Sequence, residues 1–248
     1  MCEIMEMSNI LDIVDYDFYK NDIENYRDTY VKNFEAIGKL VSKINENLNE
    51  KENIKLEGRI KSYNSFYKNI SNGKNVDDCY GIRIIAEQEK LEQLMAIIKS
   101  VYSIKREKDH SKNNKTDYNA IHDVVWSNNQ TKHDLPLIEI QYWTPEIEQK
   151  CTVGNLAYYI YKGKNIENIY ENIMELNGEE LKKSLPEYYK INDEGKAVKL
   201  SQQETIRKLF PTLFIQNDNN KKDVVEISDY KREKIMNKDA NQEKEIER

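Results

Sequence analysis

Residues 80–86, Tyr80-Gly81-Ile82-Arg83-Ile84-Ile85-Ala86, form a short run rich in β-branched side chains. Such a run reads as a buried strand. Just before it stand two acids, Asp77 and Asp78. Downstream, Leu91, Leu94, Met95, Ile97, Ile98 and Val101 recur at helical spacing, so residues 88–104 are expected to be a helix. Upstream, residues 53–62 (NIKLEGRIKS) alternate apolar and polar side chains through Ile54, Leu56 and Ile60, the pattern of a strand. A helix over 62–70 follows and stops at Ser71-Asn72-Gly73. Residues 105–117 (KREKDHSKNNKTD) read as a polar, strongly basic loop. Strands are expected again at 119–127 (NAIHDVVWS) and 136–142 (PLIEIQY). Pro145 suits the first position of a helix that reaches about residue 161.

Helices are expected at both ends. Tyr26, Tyr30, Phe34, Ile37, Leu40, Val41 and Ile44 recur every three or four residues within a helix over 8–50. Two or three further helices are expected over 166–182, 184–190 and 201–211. The polar stretch from Asn217 reads as a solvated helix or a disordered tail. The expected fold class is therefore α+β: one mixed sheet flanked by helices. The expected organisation is a helical extension (1–52), a core (53–165), C-terminal helices (166–216) and a charged tail (217–248).

A chain of 248 residues suffices for one sizeable domain with helical extensions. Its net charge of -6 argues against a protein whose affinity comes from coating a nucleic-acid backbone. With 8 glycines and 4 prolines, long helices and few loops are expected. Cys2, Cys79 and Cys151 form no CxxC pair, so neither zinc nor a disulfide framework is indicated. No basic leader precedes an apolar run, and no stretch of 18 apolar residues occurs. A soluble, cytoplasmic protein without a membrane partner is the expectation.

Three segments carry chemistry. In Arg59-Ile60-Lys61-Ser62-Tyr63-Asn64-Ser65, two cations two residues apart share one face of a strand, ahead of a helix start with a free hydroxyl. That is a plausible polyphosphate clamp, or else a solvated strand edge. In Asp77-Asp78-Cys79-Tyr80-Gly81-Ile82-Arg83, an acid at the mouth of a strand can present a ligand to magnesium, and an inward arginine needs a partner. The plainer alternative is a turn and a structural ion pair. In Ile138-Glu139-Ile140-Gln141, a carboxylate and an amide project from an otherwise apolar strand, where a buried carboxylate requires pairing or a metal. Between them, Tyr118 offers a flat surface to a base, and His122 shares its face on an extended strand.

Taken together, these segments resemble the synthetase domain of the RelA/SpoT alarmone family, over roughly residues 55–163. The residues that match are Arg59, Lys61 and Ser65; Asp78, Gly81 and Arg83; Tyr118 and His122; and Ile138-Glu139-Ile140-Gln141. Thr144, Gly154, Ala157, Tyr161 and Lys162 fit that family's closing helix. The resemblance implies a mainly five-stranded mixed sheet similar to nucleotidyltransferases. It implies Mg2+ held by Asp78, with Glu139 as second ligand or general base. Arg59, Lys61 and Ser65 would bind the ATP phosphates, with Lys68 beside them. Tyr118 would stack on the acceptor guanine and His122 would help position phosphate. Gln141, Lys108 and Lys115 complete the expected acceptor side. Pyrophosphate would pass from ATP to the 3′-hydroxyl of a guanine nucleotide, releasing AMP. Small synthetases of this type are often oligomeric through terminal helices, which implies a homo-oligomer.

Some positions depart from the family pattern. Thr116-Asp117 replaces Asn-Gly before the tyrosine, Ala120 replaces a serine, Asn69 a basic residue and Trp143 an arginine. Cys151-Thr152 stands for Ala-Glu and Tyr158 for a histidine. With only His110, His122 and His133, the family's histidine-rich hydrolase half is not expected. Two other readings follow from these departures. One is a toxin-type enzyme acting on tRNA 3′ ends or adenine nucleotides, with the basic run Lys105, Arg106, Lys108, Lys112 and Lys115 on the RNA backbone. The other is a degenerate, nucleotide-binding regulator.

Overall fold

A computed structural model describes residues 2–49, 53–74, 76–112, 118–127, 136–153 and 165–218 of the protein. The first helix, α1 (Cys2–Asn45), buries Tyr19, Ile23, Tyr30, Phe34, Ile37 and Val41, spaced three, four or seven residues apart and therefore on one stripe. Its last residue anchors the turn into the sheet: the Asn45 side chain donates to the Ile54 carbonyl at 2.9 Å and accepts from the Ile54 amide at 2.8 Å.

Seven strands follow: β1 (Lys55–Ile60), β2 (Tyr80–Ile85), β3 (Ile104–Asp109), β4 (Ile121–Trp126), β5 (Leu137–Trp143), β6 (Glu187–Ile191) and β7 (Ala197–Lys199). They form one sheet in the order β3-β4-β5-β2-β1-β6-β7. Only β2 and β5 pair in parallel; every other neighbour is antiparallel. The fold class is thus α+β with a mixed sheet, and the sheet has seven strands rather than the expected five.

Helix α2 (Tyr63–Ser71) follows β1, and its first turn is capped by the Ser62 side chain, which accepts from the Ser65 amide. Helix α3 (Gln88–Val101) buries Leu91, Leu94 and Ile98. Helix α4 (Pro145–Thr152) starts at Pro145 as expected, behind the N-cap Thr144. The remainder of the expected closing helix, with Gly154, Ala157, Tyr158, Tyr161 and Lys162, lies outside the described residues, as do Lys115, Thr116, Asp117, His133 and the tail from residue 219. Helices α5 (Ile166–Glu175) and α6 (Gly178–Ser184) break at Asn177, which caps α6. Helices α7 (Gln202–Leu209) and α8 (Pro211–Asp218) end the described chain.

The main core lies on one face of the sheet. There Tyr80, Ile82 and Ile84 of β2 and Ile138, Ile140 and Tyr142 of β5 meet the stripes of α1 and α3. A smaller core of Met174, Leu181, Leu185, Ile206 and Phe210 unites α5, α6 and α7. No described helix is long and apolar enough to cross a membrane.

Two expectations are corrected. Residues 104–109 are the edge strand β3, not a loop, and four successive exposed side chains, Lys105 to Lys108, hid it. Edge strands commonly carry such charges, which blunt further pairing. Residues 187–191 are the strand β6, not a helix, because Glu187 to Lys190 pair with β1 from far along the chain.

Candidate active site

Strand alternation builds the polar face of the sheet. Opposite the core, β1 presents Glu57 and Arg59, β2 presents Gly81 and Arg83, β5 presents Glu139 and Gln141, and β4 presents His122. The register sets Gly81 opposite Glu139 and Arg83 opposite Gln141. Glu57, Arg59, Arg83, Glu139 and Gln141 line one cleft together with Asp78 at the mouth of β2 and Tyr188 of β6. Gly81 adds no side chain, which leaves the floor open between the Arg59 and Glu139 carbonyls.

A hydrogen-bonded chain runs across this face. The Trp143 indole donates to the Tyr118 hydroxyl at 2.9 Å, and that hydroxyl lies 2.6 Å from His122 Nε2. His122 Nδ1 is 3.3 Å from Glu139 Oε1, while the Gln141 amide donates to Glu139 Oε2 at 2.7 Å. Arg83 donates through Nε and a terminal nitrogen to Gln141 Oε1 at 3.3 Å each, and to Glu57 at 3.3 Å. Its guanidinium carbon sits 3.6 Å from the centroid of the Trp143 ring, a close cation–π contact. Lys208 of α7 completes the chain by pairing with the other oxygen of Glu57.

The electrostatics follow from these contacts. Burial raises the Glu139 carboxyl, but the bond and charge of His122, the Gln141 amide and the nearby Arg59 outweigh it and hold the group at about 2. Burial likewise disfavours the charged form of Glu57, yet Lys208 and Arg83 bring its pKa below the usual range. Burial pushes the Tyr118 hydroxyl upward, against the Trp143 bond. Arg59 lines the same cleft, and its charge acts on Glu139.

The two acids before β2 separate in role. Asp77 is buried and anchors the edge strand, with Lys105 at 3.2 Å and Arg106 at 3.7 Å. Asp78 faces the cleft and pairs with the buried ammonium of Lys61. Ser65 and Lys68 are exposed on α2, and Lys108 is exposed on β3 opposite His122. Tyr118 packs edge-on against Trp143, His122 and His110. The His-Asp dipeptide at 122–123 splits between the faces: Asp123 is fully buried on the core side, bonded to the Tyr142 hydroxyl at 3.2 Å.

Sequence reasoning missed Glu57, Tyr188, His110 and Lys208. Glu57 was within reach of the same two-residue alternation that selected Arg59. Tyr188 and Lys208 carry no local signal, because long-range packing brings them in.

No curated protein matches the chain. Among solved structures, small alarmone synthetase 1 from Bacillus subtilis has a TM-score of 0.47 at 19% identity, covering 62% of this chain and 85% of that one. The same protein bound to its product pppGpp gives a TM-score of 0.48 at 16% identity, with 62% and 86% covered. A GTP pyrophosphokinase family protein from Streptococcus pneumoniae gives a TM-score of 0.42 at 20% identity, with 60% and 82% covered. Residues 58–166 match the family described as the region found in RelA / SpoT proteins. That matched segment holds Arg59, Asp78, Arg83, His122, Glu139 and Trp143.

Proposed function

We propose that the chain is a nucleotide pyrophosphokinase that moves the β,γ-pyrophosphate of ATP onto the ribose 3′-hydroxyl of a guanine nucleotide and releases AMP. The observation that carries this reading is the single cleft in which Asp78 and Glu139 face Arg59 and Arg83, all four within the RelA/SpoT region. The 3′-oxygen bonds to the β-phosphorus, and the bond from that phosphorus to the α–β bridging oxygen breaks. The bridging oxygen leaves with AMP and the hydroxyl proton passes to water. Such transfer needs in-line positioning and charge neutralisation more than covalent participation by the protein. Arg59 and Arg83 supply fixed positive charge; Gln141 and Glu57 hold the Arg83 guanidinium, which keeps its donors aimed.

The donor set fits magnesium. Asp78 and Glu139 offer only oxygen ligands to the cleft, and magnesium usually takes one or two carboxylates and keeps water and phosphate oxygens in its other positions. A magnesium ion there would neutralise charge on the transferring phosphates. A carboxylate held at about 2 suits holding a cation better than accepting a proton near neutral pH, so Glu139 is assigned as a ligand and not as the base.

The test is incubation of the purified chain with γ-labelled ATP and magnesium, separately with GTP, GDP, GMP, ATP and bulk tRNA. Label on a guanine nucleotide with AMP released establishes the reading and names the acceptor. Label on tRNA moves the activity to RNA ends, a reading favoured by the exposed Lys105, Arg106 and Lys108 on the edge strand. Label nowhere overturns the enzyme reading.

A further inference from the structure

Trp143 stands where the resemblance leads one to expect an arginine, and it touches both halves of the cleft. Its ring face carries the Arg83 guanidinium at 3.6 Å and its Nε1 donates to Tyr118 at 2.9 Å. The indole is itself fixed: it is 6% exposed, it ends β5, and it packs with Ile85, Ala120 and Ile147.

An indole nitrogen can only donate, so the Tyr118 oxygen must accept from it. The phenol's own proton then has one described neighbour to go to, His122 Nε2 at 2.6 Å. If Nε2 accepts, the neutral imidazole carries its proton on Nδ1, which faces Glu139 Oε1 at 3.3 Å and donates to it. The opposite tautomer sets two lone pairs against each other at Nδ1 and Glu139, and leaves the phenol proton without that acceptor. One direction of the chain, Trp143 to Tyr118 to His122 to Glu139, satisfies every member.

We propose that Trp143 is a positioning residue that fixes His122 in the Nδ1–H tautomer and at the same time seats Arg83. His122 then acts as a donor that orients Glu139, and neither ring nitrogen takes a proton from substrate. Its catalytic consequence rests on the function proposed above; the tautomer does not.

The experiment is a long-range 1H–15N spectrum of the uniformly labelled full chain, recorded well above the ordinary histidine pKa of about 6.5. The His122 signals are assigned by their loss in His122→Gln. The expected result is a pyrrole-type Nδ1 and a pyridine-type Nε2, with relaxation toward a tautomer mixture in Trp143→Phe, which keeps a ring beneath Arg83 but lacks the donor. Tyr118→Phe cuts the same chain one step later and must relax the tautomer too, so a poorly folding Trp143 variant leaves the test intact. An Nε2–H tautomer in the wild type, or an unchanged tautomer in both variants, overturns the proposal. If the wild type transfers pyrophosphate, Trp143→Phe lowers kcat roughly ten- to a hundredfold with the KM for ATP little changed. A wild type inactive on every acceptor, with the Nδ1–H tautomer present, sinks the function and keeps the tautomer.

Discussion

At the scale of single residues, the cleft is a set of charges held by neighbours chosen through strand alternation. Glu139 titrates at about 2 in the folded chain against an ordinary 4.5. Its contacts therefore add stability that is fully present above the unfolded value and is lost as pH falls from about 4.5 to about 2. Glu139→Gln removes that titration. Urea midpoints of wild type and variant, measured from pH 6 to about pH 2, are expected to converge on acidification; parallel curves would show that the carboxylate is not held low. Asp78→Asn should abolish transfer and also lower the unfolding midpoint, because the Lys61 side chain is only 5% exposed and the change leaves its ammonium without a carboxylate. Full activity in that variant would remove Asp78 from the cation site. These residues were legible because a charged side chain two residues from another, on a strand otherwise made of isoleucine, has few structural reasons to be there. The partners that tune them were not: Lys208 sits on an ordinary amphipathic helix, and nothing local marks it as belonging to the cleft.

At the scale of elements, β1, β2, β4 and β5 were visible because each is buried on its core face, which imposes strict alternation or a β-branched run on the sequence. The edge strands β3 and β7 are solvated, and β7 is only three residues long, so their sequences answer to little except pairing. Strand β6 is a case between these: its Tyr188-Tyr189 pair suits a strand as well as a helix, and β1 decides. The fit of α1 on β1 makes a sharp prediction. A Cβ added at Gly58 would stand 2.7 Å from the Tyr30 hydroxyl oxygen, 3.1 Å from Phe34 and 3.1 Å from the Tyr189 Cβ. Tyr30 is fully buried and donates to the Gly81 carbonyl at 2.7 Å, so it cannot swing aside without losing that bond. Gly58→Ala is expected to cost about 1–3 kcal/mol, read from denaturant unfolding. A neutral result would mean that α1 rides more loosely on the sheet than this packing allows.

At the scale of the whole molecule, the RelA/SpoT region does not close its own cleft. Glu57 lies just ahead of the matched segment, and Lys208, far beyond it on α7, neutralises half of that carboxylate while Arg83 takes the other half. The chain outside the family region thus sets how tightly Glu57 holds Arg83. Without Lys208, the whole charge of Glu57 falls on Arg83 and competes with any anionic ligand for that guanidinium. Lys208→Ala is expected to raise the KM for the phosphate donor several-fold with kcat little affected, because binding and not the transferring centre is altered. Glu57→Gln removes the competitor itself, so adding Lys208→Ala to it should leave KM unmoved. A double-mutant cycle reads the coupling directly. Equal effects of Lys208→Ala in both backgrounds would show that α7 acts on the cleft by packing alone, through the Lys208 contact with the Tyr188 ring, and that its charge has no part in seating Arg83.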